Sequence, residues 1–419
     1  MTEMNVIKVF EDRQQKVKLT NQNMKDLIEM KSIIGENNII IQADGRLLIR
    51  HFVGFVQLNK TRLLVYPKIS MGTDVEEYEK SFQILSKMLI YSGFLSVKKI
   101  PEAQNIAVYQ NDLMELYISI FTDELTVQFQ RDINRGYNNQ LENQSFIKGK
   151  VDFNETIKHN SFKKHLHYVR YDEFNENTLI NRIFKTVIQI LIVKTKVKKN
   201  KIKLNQILLW LEDVSELKID KDILSKVIFT RQNKKYEPAF NMAKLFYYNS
   251  SPSIKDGNIS ALSFLVPVNQ VFEMYLFKLL SEGGMNEYQI KFQGPIDYLA
   301  KKGGKKFLQT KPDITLIKNS KVSKVIDAKY KIVTDIDEKI LVAQGDVYQM
   351  LAYSVRYQCD DIYLVYPKPL SDSQDGIITS FTIANYDKTV KIRIIKVNLE
   401  DEPKIASRKL FELVDKIGD

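Results

Sequence analysis

The stretch Ser323-Lys324-Val325-Ile326-Asp327-Ala328-Lys329-Tyr330-Lys331 constrains the fold more than any other part of the chain. Val325 and Ile326 mark a strand in the interior of a sheet. Side chains alternate along a strand, so Asp327 and Lys329 share one face while Ile326 and Ala328 take the other. A carboxylate and an ammonium are costly inside a sheet unless they pair or bind a metal. Upstream, Lys311-Pro312-Asp313-Ile314-Thr315-Leu316-Ile317 reads as the preceding strand, its start extended by Pro312. In a short meander Asp313 lies beside Asp327, and two carboxylates converge with one lysine.

This trio suits phosphodiester hydrolysis. Two carboxylates hold a hard cation such as Mg²⁺ and leave it several waters. The cation polarises the phosphate and lowers the pKa of a bound water. A lysine orients or deprotonates that water and neutralises developing charge. A buried ion pair without chemistry uses the same residue types, so the surrounding elements matter.

Those elements alternate. Helix is expected over 269–280 and 341–357, strands over 288–293, 306–309, 313–317, 324–329, 361–366, 377–383 and 390–397, and a terminal helix after Glu402. That is an α/β domain around a mixed sheet. The first hundred residues read as mainly β after a short helical segment, forming a small twisted sheet or barrel. One hairpin turns at Asp44-Gly45, and a second joins 52–58 to 62–66, closed by Pro67. Helices follow over 77–92 and 113–129, then a polar, turn-rich stretch 131–150. A strand-like piece, 145–153, and a loop lead to Tyr171-Asp172-Glu173-Phe174. Asn177 or Thr178 caps a long helix carrying Ile183, Phe184, Val187 and Leu191. Lys194, Lys196, Lys198, Lys199, Lys201 and Lys203 come next, as a solvated helix end or a contact for phosphate or an acidic partner. Ser250–Asn258 is the best linker. The expectation is an α+β multidomain protein with a β-rich segment 1–150, a mainly helical segment 151–258, and the motif-bearing α/β domain 259–419 with its mixed sheet.

The formal net charge of +11 favours a polyanionic partner. One cysteine, Cys359, and four scattered histidines exclude internal disulfides and offer no structural zinc site. The start has no apolar signal-peptide core and no run approaches the roughly 18 apolar residues of a membrane span, so a cytoplasmic location is expected. Gly303-Gly304-Lys305-Lys306 lacks the pattern of a nucleotide-binding loop.

Pro312-Asp313 followed by Asp327-Ala328-Lys329 resembles the PD-(D/E)xK nuclease superfamily. The middle acid is Asp rather than the commoner Glu. Glu273, in Val271-Phe272-Glu273-Met274-Tyr275, stands where many members carry an extra metal-linked acid; a solvated helix acid is the other reading. Gln349 stands where members place a polar residue facing the site, and Asp346, Gln349 and Tyr353 share a helix face; a purely structural hydrogen bond is its alternative. Asp346-Val347-Tyr348-Gln349-Met350-Leu351-Ala352-Tyr353 after Asp327-Ala328-Lys329-Tyr330 narrows the likeness to the McrC family, nuclease subunits of McrBC-type and LlaJI-type restriction systems. Val65-Tyr66-Pro67-Lys68-Ile69, Arg135-Gly136-Tyr137, Ile147-Lys148-Gly149-Lys150-Val151-Asp152 and Asn177-Thr178-Leu179-Ile180-Asn181-Arg182 agree with it. Asp152 and Arg182 are assigned to packing.

The resemblance implies a Mg²⁺-dependent endonuclease subunit cutting double-stranded DNA. Catalysis would rest on Asp313, Asp327, Lys329 and Gln349, metal ligation on Asp313, Asp327 and Glu273, and DNA contacts on Lys305, Lys306 and Lys331. It implies a McrB-like AAA+ GTPase hexamer as partner, entered and stimulated by a stalk within 1–150. Two alternatives stay open: a non-cutting activator that bridges the GTPase ring, and a stand-alone repair nuclease.

Overall fold

A computed structural model describes residues 5–42, 44–58, 61–69, 75–93, 113–218, 221–248, 263–284, 287–333, 335–336, 339–340, 342–385 and 388–415. The chain divides into two compact units, one built from Met1–Leu113 and Ala261–Asp419, the other from Met114–Ser260. This differs from the contiguous segments 1–150, 151–258 and 259–419 that the sequence suggests. The reason is a long-range pairing that local patterns do not reveal. Strands β1 (Asn5–Phe10), β2 (Phe52–Leu58), β3 (Thr61–Tyr66) and β4 (Ser263–Pro267) form one sheet in the order β1-β3-β2-β4. The segment after the insertion thus supplies the edge strand of the N-terminal sheet, with Phe264 opposite Phe55. The expected linker Ser250–Asn258 lies outside the described residues.

The N-terminal sheet begins with a strand, and the helix Asn21–Ile34 follows it; the helix-first expectation is corrected. Thr20 caps this helix by accepting from Asn23 N at 3.2 Å. The hairpin Ile39–Ile41/Arg46–Ile49 turns at Asp44-Gly45 as expected, but it joins Gln15–Lys16 in a separate three-stranded sheet. Val9, Leu27, Ile39, Leu47, Ile49, Val56, Leu63 and Val65 form the core beneath both.

Glu11, at the end of β1, is fully buried, with Lys68 Nζ at 3.5 Å. Burial pushes its carboxyl up to about 8, against the pull of Lys68. A carboxyl raised above its ordinary 4.5 stabilises the fold relative to the ionised chain below that pH, and the contribution is lost as pH rises to about 8. We expect Glu11→Gln to leave stability unchanged near pH 4 and to raise it on the order of 3 kcal/mol at pH 7. Urea unfolding across that range checks this; parallel curves for the two proteins contradict it.

The second sheet of this unit carries the motif. Its strands are β5 (Gln289–Phe292), β6 (Ile314–Lys318), β7 (Lys321–Ala328), β8 (Asp361–Pro367), β9 (Gly376–Asn385) and β10 (Lys388–Val397), in the order β5-β6-β7-β8-β10-β9. β6 and β7 are antiparallel, while β7 runs parallel to β8 and β8 to β10. Parallel neighbours need a crossover, and α1 (Gln344–Tyr357) supplies it between β7 and β8. Met350 and Tyr353 of α1 pack with Val325, Ile362, Leu364, Ile392 and Ile394. Val268–Glu282 and Pro403–Asp415 are helices too, joined where Ser407 Oγ donates to Leu279 O at 2.7 Å. The architecture is α+β with a six-stranded mixed sheet.

In the second unit, Gly136–Gln144 and His167–Asn175 are nine-residue antiparallel strands, where the sequence suggests turns and a loop. Both faces are largely solvated, so no apolar alternation marks them. Side-chain amides hold the register instead, as between Asn138 Nδ2 and Asn175 Oδ1 at 2.6 Å. The short strand Lys150–Val151 pairs with His167–Asn175 and leads into the helix Phe153–Asn160. Asp152 caps that helix and pairs with Arg170 at 2.7 Å, and Arg182 Nε donates to Asn177 Oδ1 at 2.8 Å. Thr178, not Asn177, caps Leu179–Lys194, whose Ile183, Phe184, Val187 and Leu191 are buried. The lysine run is split by the helix boundary: Lys194 ends one helix, Lys198 begins the next, and Lys203 pairs with Asp123.

Candidate active site

The antiparallel register of β6 and β7 places Ile314 opposite Ile326. Asp313 immediately precedes β6, and its carboxyl comes near enough to Asp327 to feel its charge. Asp313 Oδ2 accepts from Ala328 N at 2.8 Å, so its carboxylate continues the ladder where the strand ends. Gln293 N donates to Asp313 O at 2.6 Å, fixing the backbone from the β5 side. Asp327 is 1% exposed. Lys329 Nζ lies 2.5 Å from its Oδ2 and pairs with it.

The first turns of α1 bring the next groups. Lys329 Nζ donates to Gln349 Oε1 at 2.9 Å and lies 3.8 Å from Asp346. Gln349 Nε2 donates to the Tyr353 hydroxyl at 2.8 Å, and that hydroxyl donates to Lys311 O at 3.1 Å. Asp346, Gln349 and Tyr353 share the inward face as their spacing requires. Lys331 is held by Asp346 at 3.0 Å, so this expected DNA contact is engaged within the protein. From the helix Val268–Glu282, Glu273 Oε2 accepts from Gln293 Nε2 at 3.2 Å, and Lys311 Nζ donates to Gln293 Oε1 at 2.7 Å. Glu273 thus joins the site through Gln293. Gln293 and Lys311 are absent from the residues picked out by sequence. Lys311 adjoins the motif directly, but Gln293 carries no local signal.

The electrostatics are those of an acid cluster short of positive charge. Burial, then the charges of Asp327 and Glu273, push the Asp313 carboxyl up to about 8. Burial also raises Asp327, against the opposing charge of Lys329. Glu273 is raised by burial, partly offset by its Gln293 bond. Burial alone would lower the Lys329 ammonium, but Asp327, Asp346 and Asp313 outweigh it and hold its pKa above the ordinary value. Lys329 therefore stays protonated, which suits charge neutralisation better than proton abstraction.

Among the described residues no group of three His, Cys, Asp or Glu side chains could hold a metal by themselves. Two neighbouring buried carboxylates, with the charge of Asp327 raising the pKa of Asp313, fit a cation that keeps most of its waters, as Mg²⁺ does. Glu273 stands outside that pair as a water-reaching or Gln293-bound neighbour. Lys305 and Lys306 are exposed on a separate hairpin, Asp297–Lys302/Lys305–Thr310.

Residues 47–367 match the family model of the McrBC 5-methylcytosine restriction system component. The chain belongs to this family. The fold agrees with a chain from a refined half-complex of the tetradecameric assembly of Thermococcus gammatolerans McrB AAA+ hexamers with bound McrC. That match has a TM-score of 0.73 at 19% identity and covers 98% of this chain and 100% of that one. A chain of the Thermococcus gammatolerans McrBC complex matches at a TM-score of 0.50 and 19% identity, over 67% of this chain and 88% of that one. No curated protein matches the chain. No described helix is long and apolar enough to cross a membrane.

Proposed function

We propose that this chain is the DNA-cutting subunit of a McrBC-type restriction system, a Mg²⁺-dependent endonuclease of the PD-(D/E)xK kind. The observation that carries the reading is the convergence of Asp313, bonded to Ala328 N, with Asp327 and its partner Lys329. Asp313 and Asp327 would hold Mg²⁺, which supplies charge to polarise a phosphate and to acidify a water. Lys329, kept protonated by its acids, neutralises charge as the phosphodiester is attacked. Gln349 and Tyr353 fix the ammonium through a chain ending on Lys311 O, just before the motif. Glu273 and Gln293 are placed to order water on the open side. The purified chain, supplied with a McrB-like GTPase, GTP and Mg²⁺, is expected to cut duplex DNA and to stop when Mg²⁺ is chelated. Cutting that needs neither partner nor nucleotide would instead fit a stand-alone repair nuclease.

The partner we propose is a McrB-like AAA+ GTPase hexamer, on the strength of the family and of the likeness to a chain of such an assembly. A contact surface is available in the second unit. Phe146, Ile147, Phe153, Ile157 and Phe162 are exposed between 61% and 101% around the sheet of Gly136–Gln144 and His167–Asn175. Exposed apolar side chains concentrated in this way mark an interaction site. This surface, within 136–175, supports a contact there, overlapping the end of the expected stalk segment 1–150. Phe146→Ser with Phe162→Ser is expected to weaken partner binding about 30-fold, the scale of one interface hot spot. Unchanged affinity in calorimetry contradicts this placement.

A further inference from the structure

The hairpin Asp297–Lys302/Lys305–Thr310 has no role in the cluster of acids, and its chemistry is unlike that of its surroundings. Every residue from 301 to 309 is exposed. Asp297, Tyr298 and Ala300 at its base are half-buried; a strand lying on a core buries one of its faces, so the exposed part around the turn stands out from the body. Its turn is Gly303-Gly304, both at positive φ, as a tight two-residue connection requires. Lys301 and Lys302 precede the turn, and Lys305 and Lys306 follow it.

The register sets like charges against each other. Lys302 pairs with Lys305 and Lys301 with Lys306, directly opposed across the ladder. Opposed like charges weaken a hairpin. No ion pair among the described residues joins these four to an acid; Lys306 stands over the Tyr298 ring, 5.3 Å from its centre, and its charge reaches Asp297. Beside them Leu299, Phe307 and Leu308 are 41%, 55% and 55% exposed. Leu308 also holds φ at +58°, a region that side chains with a Cβ disfavour. A ribbon of this composition is unfavourable alone and is stabilised by a polyanion with apolar surface between its charged strands.

Duplex DNA offers that combination. The hairpin is two strands wide, and a major groove about 12 Å wide admits such a ribbon. Beyond its half-buried base, three to four residues of strand reach about 10 to 13 Å. The base is tied to the site. Tyr357 of α1 donates from its hydroxyl to Pro295 O at 2.6 Å, and the same hydroxyl lies 3.0 Å from Thr310 O. Arg356 pairs with Asp297. The second arm then runs through Lys311 and Pro312 into Asp313.

We propose that this hairpin is a major-groove grip, its lysines on the flanking phosphates and its Leu and Phe side chains against base edges, which sets where the duplex lies relative to Asp313. The inference rests on the nuclease reading above but is tested without cleavage. Binding of the full chain to a short DNA duplex is measured without divalent metal at several salt concentrations. The variant combines Lys301→Gln, Lys302→Gln, Lys305→Gln and Lys306→Gln. Each phosphate contact contributes about 0.9 to the slope of log K against log salt, so the slope is expected to fall by about 3 to 4. The melting temperature should hold or rise, since opposed like charges are removed. If the fourfold variant does not fold, Lys305→Gln alone is expected to lower the slope by about 1. Dimethyl sulfate footprinting reads the groove: the parent chain should protect guanine N7, on the major-groove side, and the variant should not. An unchanged slope, or protection confined to adenine N3 of the minor groove, overturns the proposal. Failure of the nuclease reading looks different, as full binding and protection with no cleavage.

Discussion

Asp313→Asn and Asp327→Asn are each expected to lower DNA cleavage by roughly 10³-fold or more, about 4 kcal/mol of transition-state stabilisation, while making the metal-free protein more stable. The two effects have one origin. Asp313, Asp327 and Glu273 are buried close together, and burial outweighs the offsetting charges of Lys329, Lys331 and Lys311 and the backbone N–H of Ala328. Removing one negative charge relieves their repulsion and the cost of burying it. A residue that matters only for packing would lose stability on substitution, so the pairing of lost activity with gained stability separates the two roles. The sign of the pH dependence follows. The Asp313 carboxyl titrates near 8, far above its ordinary 3.8. A group so raised stabilises the fold fully below its ordinary pKa and loses that contribution as pH climbs to about 8. Metal-free parent protein should lose stability across that window, and Asp313→Asn should flatten the loss. Mg²⁺ affinity should rise over the same window, because the ion displaces the proton. Calorimetric titrations at pH 6 and pH 8 check this, and equal affinities contradict it.

Lys329→Met is expected to reduce cleavage by about 10² to 10³-fold but to change stability in the opposite sense, by a loss of about 3 kcal/mol. The ammonium lies 2.5 Å from the buried Asp327 carboxylate and within reach of Asp346. Its removal leaves uncompensated negative charge in the sheet. Lys329→Arg should keep most of the stability and recover little activity, since a planar guanidinium does not fit the point contact with Gln349. Cleavage rates and melting temperatures of the four variants, measured together, check the contrast. Should Lys329→Met gain stability as the Asn variants do, the charge assignment fails.

Much of the site was legible in the sequence because it is local. Alternation along one strand puts Asp327 and Lys329 together, a short meander puts Asp313 nearby, and helical spacing aligns Asp346, Gln349 and Tyr353. The strands and helices of the six-stranded sheet are likewise marked by apolar periodicity. What escaped is long-range or unpatterned. The pairing of Ser263–Pro267 with Phe52–Leu58 joins residues some two hundred positions apart, and no local signal announces it. Gly136–Gln144 is a strand whose two faces meet water, so its polar sequence looks like a turn region. Gln293 reaches Glu273 and Lys311 from an edge strand and becomes visible only in three dimensions. The pairing of Lys331 with Asp346 likewise becomes visible only in three dimensions.

The most direct test is a crystal of this chain soaked in Mn²⁺, read by anomalous scattering. A peak touching both Asp313 and Asp327, absent from the same experiment on Asp327→Asn, is the predicted result. Well-ordered carboxylates at these positions with no peak between them, in crystals whose dissolved protein still cuts DNA, would contradict it.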